Sequence, residues 1–561
     1  MRKKRGLRKG EDDAVAIKKT AFTARPKRTS DGAVSARYTK TKTAKSGQED
    51  AKEKKTASKT ADKAAPKAVK SAEKKAEKKA EKKTEKKPLR KTETSKQAVK
   101  KTAAKAPVRR AVYKEEAPKE KTKRESGRVR REREKTEAAM RDRARAVSRG
   151  AGFRVTMIVL LTVVFTAGGL LLAACKTPGS MDTQALTLMA MLIPMCVLTA
   201  LALPRITPMD PLIMALTNFL CCVGIVVLYT VAPQRGMLQA NYYLLGVTAM
   251  CIVSQIIRKT RRFHALTVVS MLSGVVLLVL PLAFGQWAYG AKNWVNLPVI
   301  GSFQPSELVK LSLVLAMAYY FSAHRTVLQM MPAILFAGAC LLLLMLQRDL
   351  GTALIYYATA LVLFYAACGN VPLTLIGLGG GAGAAVLGYR MFAHVKARVA
   401  MWRNPWSDPL DKGYQIIQAL LAIGSGGLFG VGLGQGTPEM IPAYFNDFIF
   451  AVICEQLGIV FGLLVLAVYV LLIVRGVTVI TASRRSFDML LGCGVLAMLG
   501  IQTFMIVGGV IKMLPLTGVT MPFLSYGGSS MLSCMMMIGI LHGIAGRAQE
   551  NMEEDVLSLK A

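Results

Sequence analysis

Residues 403–458 read RNPWSDPLDKGYQIIQALLAIGSGGLFGVGLGQGTPEMIPAYFNDFIFAVICEQLG. The stretch opens as a polar, glycine-rich loop and runs directly into a long apolar segment, within a body that is otherwise apolar. A link of roughly 50 residues between two apolar runs far exceeds the usual upper bound of about 12–15, so it is expected to be functional or disordered. Low complexity does not describe it. Trp402 precedes it, and Trp406, Tyr414, Phe429, Tyr444 and Phe445 are spaced through it, so the loop has side chains that can pack. As far as the mouth of the apolar segment it also carries four carboxylates, Asp408, Asp411, Glu439 and Asp447, with Glu455 further on.

Working outward, the 561 residues are 52% hydrophobic with net charge +40. The charge is uneven. Residues 1–153 hold 52 Lys and Arg against 21 Asp and Glu, whereas residues 154–561 hold 23 against 14. A basic polar tail is thus fused to an apolar body whose runs reach the roughly 17–25 residues a bilayer requires. The tail, which contains AEKKAEKKAEKKTEKK at 72–87, is nearly free of large apolar groups. It cannot offset its ordering entropy by burial and is expected to be disordered. Its charge suits anionic lipid headgroups beside the first span or, as the weaker alternative, nucleic-acid phosphates. A solvated tail that fixes topology is the plain reading. The first apolar run begins near Val155, too late for a signal peptide. All ten cysteines lie in or beside apolar runs with no CxxC, and the four histidines are scattered, which argues for packing rather than metal ligation.

Apolar runs predict twelve spans, at 155–174, 184–203, 209–232, 240–257, 265–284, 306–322, 329–346, 350–368, 370–390, 447–474, 487–511 and 525–545. With the basic tail in the cytoplasm, Arg205, Arg258, Lys259, Arg261, Arg262, Arg325, Arg475, Arg484, Arg485 and Arg547 fall inside, as the positive-inside bias requires. Both termini are then cytoplasmic and the 391–446 loop is extracellular. Chemistry on that loop faces the exterior, away from ATP.

Polar groups within or beside spans are functional candidates. Glu307 and Lys310 are three apart at a span start, on one helical face, and can pair. Pro305 suits the first turn, and Ser302 or Ser306 is a candidate cap. Asp349 either caps the span that begins at Leu350 or belongs to a polar cavity. Asp447 sits at the mouth of a span with Glu455 deeper on the same face. A boundary carboxylate meets a substrate whose lipid part lies in the bilayer and whose polar part lies outside. Burial raises its pKa towards that of a general base, and an N-cap is the structural alternative. Residues 512–530 form a re-entrant-like outer link, where Lys512 and hydroxyls including Ser529 can meet a diphosphate. Lys396, Arg398 and Arg403 break the positive-inside trend, which points either to diphosphate binding or to headgroup contact. The glycine strings at 424–430 and 430–436 lack the strand–turn–helix setting of a nucleotide loop.

Taken together, GAKNW at 290–294, FQPSELVKLSLVL at 303–315, LQRDLGTA at 346–353, NPWSDPLDKGYQIIQALLAIGSGGLFGVGLGQG at 404–436, IPAYFNDFIFAVICEQLG at 441–458 and LPLTGVTMPFLSYGGSS at 514–530 resemble the SEDS family (shape, elongation, division and sporulation). The resemblance implies an all-α polytopic membrane protein. It implies a ten-helix core at 209–545, two additional helices at 154–208, the disordered tail 1–153 and a short C-terminal tail at 546–561. It also implies a plasma-membrane peptidoglycan glycosyltransferase that joins an undecaprenyl-diphosphate-linked glycan to lipid II by inverting β-1,4 transfer. Asp447 falls on the family's catalytic aspartate and Glu439 on its loop glutamate linked to activation; Glu455 is a supporting carboxylate. Phe445-Asn446 stands where the family usually has His-Thr or His-Ser. Glu307, Lys310, Lys396, Arg398, Arg403, Gln418, Lys512 and Ser529 are the substrate or diphosphate candidates, with a divalent cation (Mg2+ or Mn2+) as an alternative charge stabiliser. Implied partners are a class B penicillin-binding protein and divisome or elongasome proteins. A lipid-linked precursor flippase or transporter, and a non-catalytic scaffold, are the rival readings.

Overall fold

The computed structural model describes residues 152–176, 181–288, 291–297, 301–323 and 326–558. The expectations for the basic tail lie outside these residues as far as residue 151. The described chain runs α1 (Gly152–Ala174), α2 (Thr183–Ile206), α3 (Pro211–Val231), α4 (Pro233–Lys259) and α5 (His264–Phe284). Three short strands follow, β1 (Gln286–Ala288), β2 (Ala291–Leu297) and β3 (Gly301–Phe303), then α6 (Pro305–Ala323), α7 (Val327–Leu346), α8 (Leu350–Cys368) and α9 (Val371–Met391). Beyond these come α10 (Ala393–Arg403), α11 (Tyr414–Gly426), α12 (Ile449–Thr481), α13 (Ser486–Val510) and α14 (Gly528–Ser558).

Among the described residues, eleven helices are long and apolar enough to cross a membrane. The protein is a polytopic, essentially all-α membrane protein. Of the twelve spans read from the sequence, α6 is the one outside this set. It is 19 residues long but carries Ser, Tyr, Glu and Lys among its apolar groups. It tolerates them because it is central. It packs against α5, α7, α8, α13 and α14, and Glu307 and Lys310 are both buried. A helix covered by protein can carry polar groups that lipid would reject.

Two links carry local structure of their own. The 391–446 loop is largely ordered as α10, α11 and short 3-10 turns at Pro405–Ser407 and Pro438–Met440. The α5–α6 link forms a three-stranded antiparallel sheet in the order β1-β2-β3. Its strands are too short for periodicity to reveal. Asp349 ties this sheet to the start of α8, which bears out its reading as a cap. Its carboxylate accepts from Thr352 N at 3.1 Å as the cap of α8, and from Asn293 Nδ2 and Gln304 Nε2 at 2.8 and 3.1 Å. Capping of α6 by Ser306 does not occur: the helix starts at Pro305 and the buried Ser306 hydroxyl makes no hydrogen bond among the described residues.

Helix α12 breaks at Gly458, where φ is 85°. The break exposes backbone that the glycine-rich loop completes. Val431 N and Gly432 N donate to the carbonyls of Glu455 and Gln456 at 2.9 and 3.0 Å, and Ile459 N donates to Gly427 O at 3.0 Å. A Cβ at Gly430 would lie 2.2 Å from Gln456 O, and one at Gly458 would lie 2.2 Å from Leu428 O. Glycine is required at both positions by positive φ and by close backbone approach. The glycine strings therefore serve as a backbone interlock.

Candidate functional site

The turn before α12 carries Asp447. Tyr444 N donates to Ile441 O and Asn446 N to Ala443 O, and Ala443 takes φ 57°. The N-cap of α12 is Phe448, with no side-chain cap bond, so the Asp447 carboxylate is not engaged as a cap. This disposes of the N-cap alternative. The turn is fastened to the 512–527 link: Tyr526 N donates to Phe445 O at 2.8 Å, and Ser525 Oγ donates to Asn446 O at 2.6 Å. Ser525 Oγ also accepts from Met521 N at 2.8 Å.

Phe445 is held by stacking. The Arg235 guanidinium carbon lies 3.3 Å from its ring centroid, and the Tyr526 ring meets it edge-on at 6.0 Å. A cation over an aromatic face is attracted by the ring quadrupole. Gln239, one helical turn beyond Arg235 on α4, donates to Ser525 O at 2.9 Å and accepts from Gly527 N at 3.1 Å.

Arg398 approaches from α10. Its Nη1 donates to Thr517 O at 3.0 Å. A Cβ placed on Gly518 would lie 3.7 Å from both Arg398 Nη2 and Asp447 Oδ2, so the guanidinium and the carboxylate flank one backbone position. Thr517 in turn rests on α8, where a Cβ at Gly351 would come within 2.7 Å of Thr517 O. The half-buried Asp447 carboxyl is pushed up to about 6, mainly by burial, against the opposing pull of Arg398. His394, one turn before Arg398, is shifted down by burial and then by the charges of Arg398 and Arg348.

Beneath this site runs a buried polar chain. Lys310 Nζ donates to both carboxylate oxygens of Glu307 and to Gln502 Oε1, each at 2.8 Å. Gln502 Nε2 passes the chain to Thr520 O at 2.7 Å, and Thr520 Oγ1 lies 2.7 Å from Ser530 Oγ. All three ammonium protons of Lys310 are thus used internally. The pair reaches the site through the 517–530 link.

The remaining candidates are dispersed. Glu455 is buried and accepts from Thr437 N at 2.9 Å, two residues before the exposed Glu439. Lys396 and Arg403 are exposed on α10. Lys512 takes φ 61° and its carbonyl accepts from Trp402 Nε1 at 3.1 Å. Gln418 is half-buried on α11 and Ser529 is buried at the start of α14. Among the described residues no hydrogen bond or ion pair joins these side chains to Asp447. Among the described residues no group of three or more His, Cys, Asp and Glu could hold a metal ion. Sequence reading passed over Arg235, Gln239 and Gln502, and gave Thr517 and Ser525 only as hydroxyls of the 512–530 link. A polar Gln502 within an apolar run, and Arg235 and Gln239 at i,i+4 spacing, were the available signals.

The fold and site define a polytopic membrane protein with a carboxylate and a guanidinium flanking one backbone position where the helices end. Residues 210–550 match the FtsW/RodA/SpoVE family model, described as cell cycle protein, and the chain belongs to that family. The chain is 32% identical over 376 residues to peptidoglycan glycosyltransferase RodA of Mycobacterium leprae, covering 62% of this chain and 80% of that one. It is 33% identical over 359 residues to the probable peptidoglycan glycosyltransferase FtsW of Geobacter sulfurreducens, covering 60% and 95%. A solved chain from work on structural coordination of polymerization and crosslinking by a peptidoglycan synthase complex superposes with TM-score 0.51 at 25% identity, covering 60% of this chain and 97% of that one.

Proposed function

We propose that the protein is a peptidoglycan glycan-strand polymerase of the plasma membrane. The observation that carries this reading is Asp447, uncapped, half-buried and facing Arg398 across Gly518. Family membership and the likeness to RodA and FtsW glycosyltransferases support the reaction class.

In this reading the lipid carriers stay in the bilayer and their sugars enter beside the 512–527 link. Asp447, with its carboxyl near neutrality, removes the proton from the 4-hydroxyl of the acceptor GlcNAc of lipid II. That oxygen attacks C1 of the donor MurNAc opposite the undecaprenyl diphosphate, inverting the α linkage to β-1,4. The diphosphate departs with the bonding electron pair, and Arg398 is placed to offset its charge. One carboxylate suffices because the leaving group needs no strong acid. Lys396 and Arg403 share α10 with Arg398 and can meet the carrier diphosphate or headgroups. Ten helices (α3 to α9 and α12 to α14) form the core, α1 and α2 are an addition, both termini are cytoplasmic and the loop is extracellular. A class B penicillin-binding protein crosslinks the strand and acts on the loop bearing Glu439. The basic tail contacts anionic lipid or, less favourably, nucleic acid.

The test is polymerisation of fluorescent lipid II by the full chain with its transpeptidase, beside Asp447→Ala. A ladder of glycan polymers from the intact protein and none from the variant is expected. Polymer from both moves the base elsewhere. No polymer from the intact protein with a verified partner returns the flippase or scaffold readings.

A further inference from the structure

Helices α1 and α2 precede the matched residues 210–550, yet α1 reaches the loop that completes the break in α12. Three contacts make the junction. The Phe165 ring stacks on Phe461, just beyond the break, at 5.5 Å and 21°. At Gly169 the helix passes so close that a Cβ would lie 2.6 Å from Val226 Cγ1 and 3.0 Å from Leu433 Cδ2. Past the end of α1, Lys176 Nζ donates to Gly434 O at 3.3 Å.

The hairpin is itself anchored on α3. Tyr229 OH donates to Asp182 Oδ2 at 2.5 Å, and Asn218 Nδ2 donates to Thr199 Oγ1 at 2.8 Å. Asn218 Oδ1 is occupied by Tyr243 OH from α4 at 2.8 Å. The loop on the other side of the junction is held to α12 by backbone hydrogen bonds and has few side chains with which to pack. Residues 430, 432, 434 and 436 are glycines at positive φ, which lose much conformational freedom on ordering and bring no side chains to pack. Leu433 is the large apolar group among them, and it rests on α1. The same loop places Val431 N and Gly432 N on the broken turn of α12 and Thr437 N on Glu455 Oε1.

We propose that the α1–α2 hairpin is an intramolecular brace that seats residues 431–437 in the break of α12, with Phe165, Gly169 and Lys176 as positioning residues for the site at Asp447. The brace acts through backbone placement. It fixes the loop that leads into Glu439 and the Asp447 turn, and it supplies from within the chain a packing surface that the matched region does not contain.

The test uses the full chain in lipid nanodiscs, with Lys176→Ala, Phe165→Ala, Gly169→Val and the conservative Lys176→Arg. Hydrogen–deuterium exchange is read on peptides covering 428–440, with the capped start of α8 as an internal reference. Exchange in 428–440 is expected to rise about fivefold in Lys176→Ala, the effect of losing one net hydrogen bond. It should rise further in Gly169→Val and return in Lys176→Arg, with α8 unchanged. The activity arm rests on the polymerase reading: kcat for lipid II polymerisation falls severalfold in step with exchange while KM holds. Unchanged exchange in the three disruptive variants overturns the brace. Faster exchange with unaltered kcat overturns the positioning role. A wild-type protein that makes no polymer with its verified transpeptidase present sinks the polymerase reading, and the exchange arm still decides the brace.

Discussion

The ionisation of Asp447 links activity and stability with opposite signs. Its carboxyl is pushed up to about 6, mainly by burial, with Arg398 pulling it down. An unfolded aspartate titrates near 4, so between about pH 4 and pH 6 the folded protein holds a proton that the unfolded chain has released. Stability therefore falls as pH rises through that window, by at most about 3 kcal/mol at neutral pH and less in proportion to the solvent that still reaches the group. Catalysis runs the other way, because the base must be ionised. Polymerisation of fluorescent lipid II with its transpeptidase should rise with pH along a limb centred near 6. Arg398→Ala removes the opposing cation and should move that limb up by about one pH unit, while Arg398→Lys should leave it near the wild-type position. Asp447→Asn should abolish polymer and yet raise the unfolding temperature at pH 7, measured in detergent by intrinsic fluorescence. A rate that is flat between about pH 5 and 8, or a limb that stays put in Arg398→Ala, refutes the assignment of Asp447 as the titrating base.

Glu307→Gln or Lys310→Met alone should cost about 3–5 kcal/mol, because each strands a buried charge, whereas the double variant should unfold much closer to wild type in a thermal double-mutant cycle. Gly518→Val should remove polymerase activity and also lower the unfolding temperature, since it places a branched side chain at φ 72° as well as between Arg398 and Asp447. Arg235→Ala should cost about 1–2 kcal/mol from the lost stacking on Phe445 and lower activity by loosening the Asp447 turn; an unfolding temperature equal to wild type would show the stack to be idle.

Much of the architecture was legible in order along the chain. Apolar runs located the spanning helices because length and side-chain polarity are local properties that lipid tests directly. The Glu307–Lys310 pair was legible from its i,i+3 spacing, and Asp447 from its place at the start of an apolar run. The family's motifs were legible as continuous strings. Local pattern could not reveal that Lys310 spends its third proton on Gln502, that Asp349 ties a small sheet to the cap of α8, or that Arg398 and Asp447 flank Gly518. Nor could it separate a glycine string that cradles phosphate from one that repairs a broken helix, because the residues accepting those backbone bonds lie on a separate element. The sequence by itself determined which segments enter the membrane and which polar groups are costly there. Only the tertiary structure decided which of those groups satisfy one another and which carboxylate is left without a cap, because hydrogen-bond satisfaction depends on partners brought together across long stretches of chain.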